Sequence, residues 1–381
     1  MEGRPADRLP MDFAGTSLTA AAPEYFEKLA RTLGIPAGDH DQTVEAVLQA
    51  LQVDFRHIGC IFEPETPYVR GKHRCNGTYQ YTDCFGVTRQ WTGLYYDIVD
   101  SPLRDAGMAE LDAFIWPDAA DVEQGVFDEL REQAKRLYCD TDYVIVASHP
   151  VYGVLELGCW MCGFDTFLEK LLLEPEFVDK FFSRYYQYQA DISARYYEAI
   201  GGYIHVTTSG DDFGTQNGPF LSKGLFDDSI APWFQKRIAL TKSMTKAKYF
   251  HHTCGSVYRL MDSLAGCGVD ILNPIQPGAF EMEPERLKRD YGEAFTFWGG
   301  IDEQNVLTQG TPDDVARHVR EVAAVMGQGG RYVIAPSHNI QSDVPPENVV
   351  QLYRTAAELD GHPAPSAKRR NSEMGTAGLN R

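Results

Sequence analysis

No stretch of this 381-residue chain stays apolar for the roughly 18 residues that a bilayer-spanning helix needs. Met1 to Arg8 carries no signal-peptide core either, so the cytoplasm is the expected location. Positive charge is scarce: 35 Lys and Arg stand against 54 Asp and Glu, for a formal net charge of −19 and a pI near 4.9. Phosphate backbones and acidic membrane surfaces are gripped by clustered Lys and Arg, so neither nucleic acid nor membrane is expected as a partner. The eight cysteines (60, 75, 84, 139, 159, 162, 254, 267) lack the dense spacing of a small secreted scaffold. Reduced thiols follow, and any special cysteine would be metal-bound or reactive. There is no internal repeat of fixed period.

What is present is ordinary globular material, 43% hydrophobic and 23% charged, enough to fill a large core. The length suits one elaborated α/β barrel. From about residue 140, short β-rich runs alternate with helical patterns, the signature of βα units around a parallel sheet. The runs are Tyr143–Ser148, Tyr203–Thr208, Tyr249–Cys254, Val269–Asn273, Phe295–Gly300 and Tyr332–Ser337, with Ile58–Phe62 a plausible earlier one. That makes seven, one short of a closed barrel. Helices are expected over Ala22–Leu33, Gln42–Leu51, Pro175–Ile200 and Thr311–Met326, the last opening on a Thr-Pro-Asp-Asp start signal. A hairpin is expected around Tyr79–Trp91. The division expected is residues 1–140 as a cap with the first barrel element, 141–361 as the main part of the same barrel, and a disordered polar tail over 362–381.

Polar residues gather where the proposed strands end: Ser148-His149, Ser209 to Asp212, His252 to Cys254, Asn273 to Gln276, Gly300 to Glu303 and Ser337 to Asn339. An eight-fold barrel builds its site from this set of strand ends, so they would converge on one pocket. His252 and Cys254, two apart, can project from one strand face toward one object. Imidazole nitrogen and thiolate sulfur suit zinc. A buried histidine beside an inert core cysteine is the competing reading. Asp211 and Asp212, and likewise Asp302 with Glu303, are either site carboxylates or turn and helix caps. The spacing of Cys159 and Cys162 resembles a zinc or redox pair, but no second pair accompanies it. His251 is expected to face away from His252, and His318 to lie on a helix surface.

These residues resemble the uroporphyrinogen decarboxylase superfamily. Asp211–Gln216 (Asp-Asp-Phe-Gly-Thr-Gln), His252–Gly255 (His-Thr-Cys-Gly), Gly299–Asp302 (Gly-Gly-Ile-Asp), Gly310–Val315 (Gly-Thr-Pro-Asp-Asp-Val) and Ala335–Asn348 occur in the order seen there. The resemblance implies a (β/α)₈ TIM barrel with an N-terminal cap. Of the superfamily's two chemistries, it points toward cobalamin-dependent zinc methyltransferases more than true decarboxylases. The decarboxylases' arginine-rich N-terminal motif corresponds here to Leu9–Thr16 (Leu-Pro-Met-Asp-Phe-Ala-Gly-Thr), which has no arginine to hold substrate carboxylates.

The resemblance implies zinc held by His252, Cys254 and His338, the last replacing a cysteine found in several of those enzymes. It implies a methyl group moving between a small methoxy, thioether or thiol compound and a cobalamin on a separate corrinoid protein, as in O-demethylation. Asp211 or Asp212 would orient substrate or a proton. Tyr81, Trp91, Gln276 and Asp302 are the expected substrate contacts, and a homodimer is an open expectation. Two alternatives stand beside this reading. One is a metal-independent porphyrinogen decarboxylase that uses Asp83 as its central carboxylate; the other is a non-catalytic binder of small molecules or corrinoid.

Overall fold

The computed structural model describes residues 8–36, 38–59, 70–75, 78–93 and 96–359. The first strand, β1 (Phe55–Ile58), is followed by an antiparallel cap sheet of β2 (Arg70–Cys75), β3 (Thr78–Thr82), β4 (Thr88–Trp91) and β5 (Tyr96–Asp100), in that spatial order. Then come β6 (Val144–Ser148), β7 (Val206–Gly210), a two-residue pair β8 (Gly214–Thr215) and β9 (Gly218–Pro219), β10 (Lys248–His252), β11 (Ile271–Asn273), β12 (Thr296–Ile301) and β13 (Tyr332–Pro336). Strands β1, β6, β7, β10, β11, β12 and β13 pair in parallel in that order. The result is an α/β fold around a curled seven-stranded sheet.

All six expected runs after residue 140 are strands, and the hairpin of the cap is β3 and β4. The seventh strand begins earlier than its expected range. Phe55–Ile58 pairs with Val144–Ala147, so the strand ends at Ile58 rather than starting there, with Phe55 and Ile58 as its buried apolar residues. The rest of that expected run, from residue 60, lies outside the described residues, as does the 362–381 tail. Helices Pro23–Leu33, His40–Ala50, Pro175–Ile200 and Pro312–Met326 match the expected ones within two residues. Thr311 caps the last by accepting from the amide of Asp314, which returns a bond to Thr311. No helix among the described residues is long and apolar enough to cross a membrane.

Between edge strands β13 and β1 lies the Leu9–Thr16 stretch. The amide of Ile334 donates to the Pro10 carbonyl at 2.9 Å, Asp12 donates to Ile334 at 3.0 Å, and the Asp54 amide donates to Met11 at 3.0 Å. The segment thus hydrogen-bonds to β13 on one side and to the residue before β1 on the other. Its aspartate is buried. Asp12 accepts from the Gly15 amide (2.8 Å), the Thr19 hydroxyl (2.7 Å) and the indole of Trp298 (2.8 Å), which itself packs 4.4 Å from the ring of Phe55.

Burial raises the Asp12 carboxyl to about 6 against the opposing pull of those three hydrogen bonds. Since this lies above the unfolded value of 3.8, the group's contribution to stability is full below about pH 4 and is lost as pH rises through about 6. Trp298 emission is therefore expected to titrate with a midpoint near 6. The transition should vanish in Asp12→Asn, and emission that is flat from pH 4 to 8 in the parent protein would refute the assignment.

The cap docks through Phe85, which is fully buried and meets the rings of Tyr185 and Tyr188 edge-on at 5.7 and 5.3 Å. Aromatic pairs of this geometry add roughly 0.5–1.5 kcal/mol each beyond their buried area. They tie the β3–β4 turn to helix Pro175–Ile200, which places the cap over the carboxyl end of β6.

Candidate metal centre

Parallel register sets the site. His252, the last residue of β10, is level with Gly210 of β7 and Asn273 of β11, so the residues that follow these strands emerge side by side. The donor atoms of His252, Cys254 and His338 all lie within 4.8 Å of one another. Tetrahedral zinc, with bonds of roughly 2.0–2.3 Å, needs donor atoms about 3.3–3.8 Å apart. Cys254 Sγ is 3.2 Å from His252 Nε2, and the ring centroids of His252 and His338 are 5.5 Å apart. Small side-chain movements bring all three into that range. The residues fit the metal.

The hydrogen bonds around His252 fix which nitrogen is free. Asn273 Nδ2 donates to the Trp298 carbonyl at 3.1 Å, so Asn273 presents its oxygen to His252 Nδ1 at 2.6 Å. That nitrogen must carry the proton, which leaves a lone pair on Nε2 facing the Cys254 sulfur. Burial also pushes His252 down to about 4, so its ring is neutral at ordinary pH. His338 is arranged alike: its Nδ1 faces Asn339 Oδ1, an oxygen that also accepts from Gln341 Nε2. Burial, then the charges of Asp212 and Glu156, raise the Cys254 thiol far above its usual range, so the metal-free thiol keeps its proton.

The loop carrying Cys254 is braced by two side chains. Asp212 accepts from the Cys254 amide at 2.7 Å, and Gln276 accepts from the Gly255 amide at 3.0 Å. Gly255 has φ +77°, and a Cβ there would stand 2.5 Å from the Thr215 carbonyl, so the motif's glycine is required by shape. His251 faces away from His252, as expected, and is buried against Phe213 and Phe234.

The other expected site residues divide. Asp211 is buried and accepts from three successive amides, Val154 (2.6 Å), Leu155 (3.0 Å) and Glu156 (2.8 Å), at the start of helix Val154–Cys162. It is the cap of that helix, supplied from another strand. Gly153 leaves room for it, since a Cβ there would lie 2.5 Å from the carboxyl carbon. Asp302 caps the turn after β12 by accepting from the Asn305 amide and side chain, both at 3.0 Å.

Asp83 is buried in an ion pair with Arg89 and also accepts from the amides of Phe85 and Val87 at 2.9 and 3.1 Å. Arg89 in turn packs 4.7 Å over the Trp160 ring, and its Nη2 is buried without an acceptor among the described residues. Tyr81 and Trp91 flank Tyr96 in the cap, at 4.9 and 5.2 Å.

His318 is half-buried rather than on the surface, because its Nε2 accepts from the Asp302 amide at 3.2 Å. Cys159 and Cys162 sit buried in one helix. Burial raises both thiols, Cys162 to about 12, so they are inert protonated sulfurs.

One residue of the site escaped sequence reasoning. Glu156 is the sole charged residue of the nine in helix Val154–Cys162. Asp211, Asp212, Arg237 and Arg89 act on it electrostatically, and its own charge is felt at Cys254. A lone acid in an otherwise apolar helix directly after a strand end was the available signal.

The sequence model of the family described as uroporphyrinogen decarboxylase (URO-D) matches residues 145–359, more than half of the chain. The chain belongs to the uroporphyrinogen decarboxylase family. The match begins inside β6 and ends with the last described helix, Pro346–Leu359, so the family region holds all three ligand candidates and Glu156, while the cap lies outside it. No curated protein matches the chain. Among solved structures, a methyltransferase from Methanosarcina mazei shares this family member's fold with a TM-score of 0.62, at 16% identity over 94% of this chain and 96% of that one. A B12-independent methionine synthase from Shewanella sp. W3-18-1, in complex with selenomethionine, gives a TM-score of 0.42 at 12% identity over 93% and 96%.

Proposed function

We propose that the chain is a zinc-dependent methyltransferase that moves a methyl group between a small methylated compound, a methoxy, thioether or thiol species, and a cobalamin carried by a separate corrinoid protein. The barrel is taken as eight-fold, with the Pro10–Phe13 segment in the eighth position. The observation that carries the reading is the donor set: one thiol and two imidazole nitrogens within 4.8 Å, with His252 locked by Asn273 in the tautomer that ligates. Core packing alone does not call for a protonated amide-bound Nδ1 on one side of the ring and a thiol on the other.

His252, Cys254 and His338 would hold the metal, and zinc when bound supplies Lewis acidity toward the substrate heteroatom. Asp212 and Gln276 hold the Cys254 loop through its amides. Asp211 anchors the start of helix Val154–Cys162 through three successive amides. Tyr81 and Trp91 of the cap supply apolar surface for a methylated compound.

In a decarboxylase reading, Asp83 would have to serve as the central carboxylate. Asp83 already spends its oxygens on Arg89, Phe85 and Val87, which favours the methyl-transfer reading. Protein purified without chelator is expected to contain about one zinc per chain and to exchange methyl groups with reduced cobalamin. Folded protein free of zinc, or one that removes carboxylates from uroporphyrinogen, would overturn the proposal.

A further inference from the structure

Three rings from strands that are not neighbours meet on the concave face of the curled sheet. Phe55 of β1 lies 4.4 Å from the ring of Trp298 in β12, and Phe250 of β10 lies 5.2 Å from that same ring. Side chains alternate along a strand, so the next inward residues toward the carboxyl ends are His57 in β1 and His252 in β10. Arg56, between Phe55 and His57, points the other way and pairs with Glu45 of helix His40–Ala50 at 2.7 Å. Strands β6 and β7 separate β1 from β10, so His57 and His252 face one concave space from different sides.

His57 is held in place. Its Nε2 lies 2.8 Å from Ser148 Oγ at the end of β6, and the Tyr196 hydroxyl donates to the Ser148 carbonyl at 2.6 Å, which fixes that strand end. Phe55, Phe250, Trp298 and Ser148 are buried, whereas His57 is half-buried, so its accessible part opens toward the carboxyl rim that carries Cys254 and His338. Its Nδ1 makes no hydrogen bond with a described residue. Burial pushes the imidazole down to about 4, and no charged described residue contributes to that shift, so the ring is neutral at ordinary pH. A charged group would find no counter-charge beside it. A hydroxyl, which both donates and accepts, matches the unused nitrogen in either tautomer.

We propose that His57, positioned by Ser148, determines substrate specificity: its unused nitrogen takes an uncharged hydroxyl on the methylated compound, at the end remote from His252, Cys254 and His338. The inference rests on the methyl-transfer reading above and names its substrate class, a methylated compound with a hydroxyl at its other end.

Calorimetry with 4-methoxyphenol and 4-methoxytoluene tests this, since the two probes share one shape and differ only in a hydroxyl for a methyl. Zinc-loaded parent protein is expected to bind the phenol about tenfold more tightly, as one neutral hydrogen bond provides. His57→Leu should bind both probes alike, and His57→Gln should keep part of the preference. Ser148→Ala, which leaves the ring free to turn, should reduce the preference without weakening 4-methoxytoluene binding. Zinc content should be unchanged in all three variants.

Equal binding of the probes by the parent would overturn the proposal, as would a preference that survives in His57→Leu or a loss of zinc from that variant, which would make the residue a ligand. If His57→Leu does not fold, Ser148→Ala decides, and an unchanged preference there overturns it. Protein that selects the hydroxyl through His57 yet transfers no methyl group would sink the functional reading and leave the pair standing; transfer without selection would do the reverse.

Discussion

Cys254→Ala is expected to release the metal, weakening zinc binding by more than about 100-fold, since loss of even an outer hydrogen-bond partner costs roughly 10–100-fold. The variant should otherwise fold normally, because the amide of residue 254, not its sulfur, holds the loop to Asp212. His338→Ala should behave in the same way. Asn273→Ala should fall in the 10–100-fold range, as it frees the His252 ring to take the wrong tautomer without removing a donor.

Metal uptake should also release a proton from the Cys254 thiol, which is raised far above neutrality. Affinity then rises about tenfold per pH unit across the neutral range, and competition from protonated His252 enters only near pH 4. Competition titrations against a chelator, with cobalt substitution to watch the thiolate bond, measure each of these. Stoichiometric zinc retained by Cys254→Ala would show that the three donors are not the centre.

Asp211→Ala is expected to produce the largest loss of stability of any single change at the site. The carboxylate satisfies three buried amides at 2.6–3.0 Å, and its removal leaves them without acceptors in a place water reaches poorly. Each orphaned group costs about 1–3 kcal/mol, so a total of about 3 kcal/mol or more is reasonable after relaxation. Asp211→Asn should recover part of this, since its one carbonyl oxygen still accepts. Gly153→Ala should perturb the same contact from the other side. Denaturant midpoints read the effect directly. If Asp211→Ala matches the parent in stability while transfer is abolished, the carboxylate is reacting with substrate and the capping account is wrong.

The difference between Asp211 and Glu156 shows where sequence reasoning reaches its limit. In the chain, the adjacent Asp211 and Asp212 at a strand end read as site acids, and Glu156 reads as one residue of a helix. Capping is normally recognised from residues just before a helix, whereas here the acceptor comes from 55–57 positions downstream. No local signal announces it. For Asp302 and Asn305 the cap is local, and the bland reading was already open from sequence. Asp83, the central carboxylate of the decarboxylase alternative, has its partner Arg89 across a hairpin turn, a pairing that follows from the fold of the cap.

Periodicity and end signals determined the strands, because apolar runs of five or six residues bounded by helices can be buried only in a parallel sheet. The pair His252 and Cys254 was legible as two neighbours at a strand end, but β10 stops at His252, and the position of Cys254 is set by the bonds from its own loop to Asp212 and Gln276. His338 is different. It lies 84 positions after Cys254, and only the order β10, β11, β12, β13 brings it to the same rim. The tautomer of His252 depends on Asn273 and the Trp298 carbonyl from two further strands. Protonation and capping are properties of neighbours in space, set by burial and by which amides and charges the packed sheet brings within reach, and so they were decided by the tertiary structure alone.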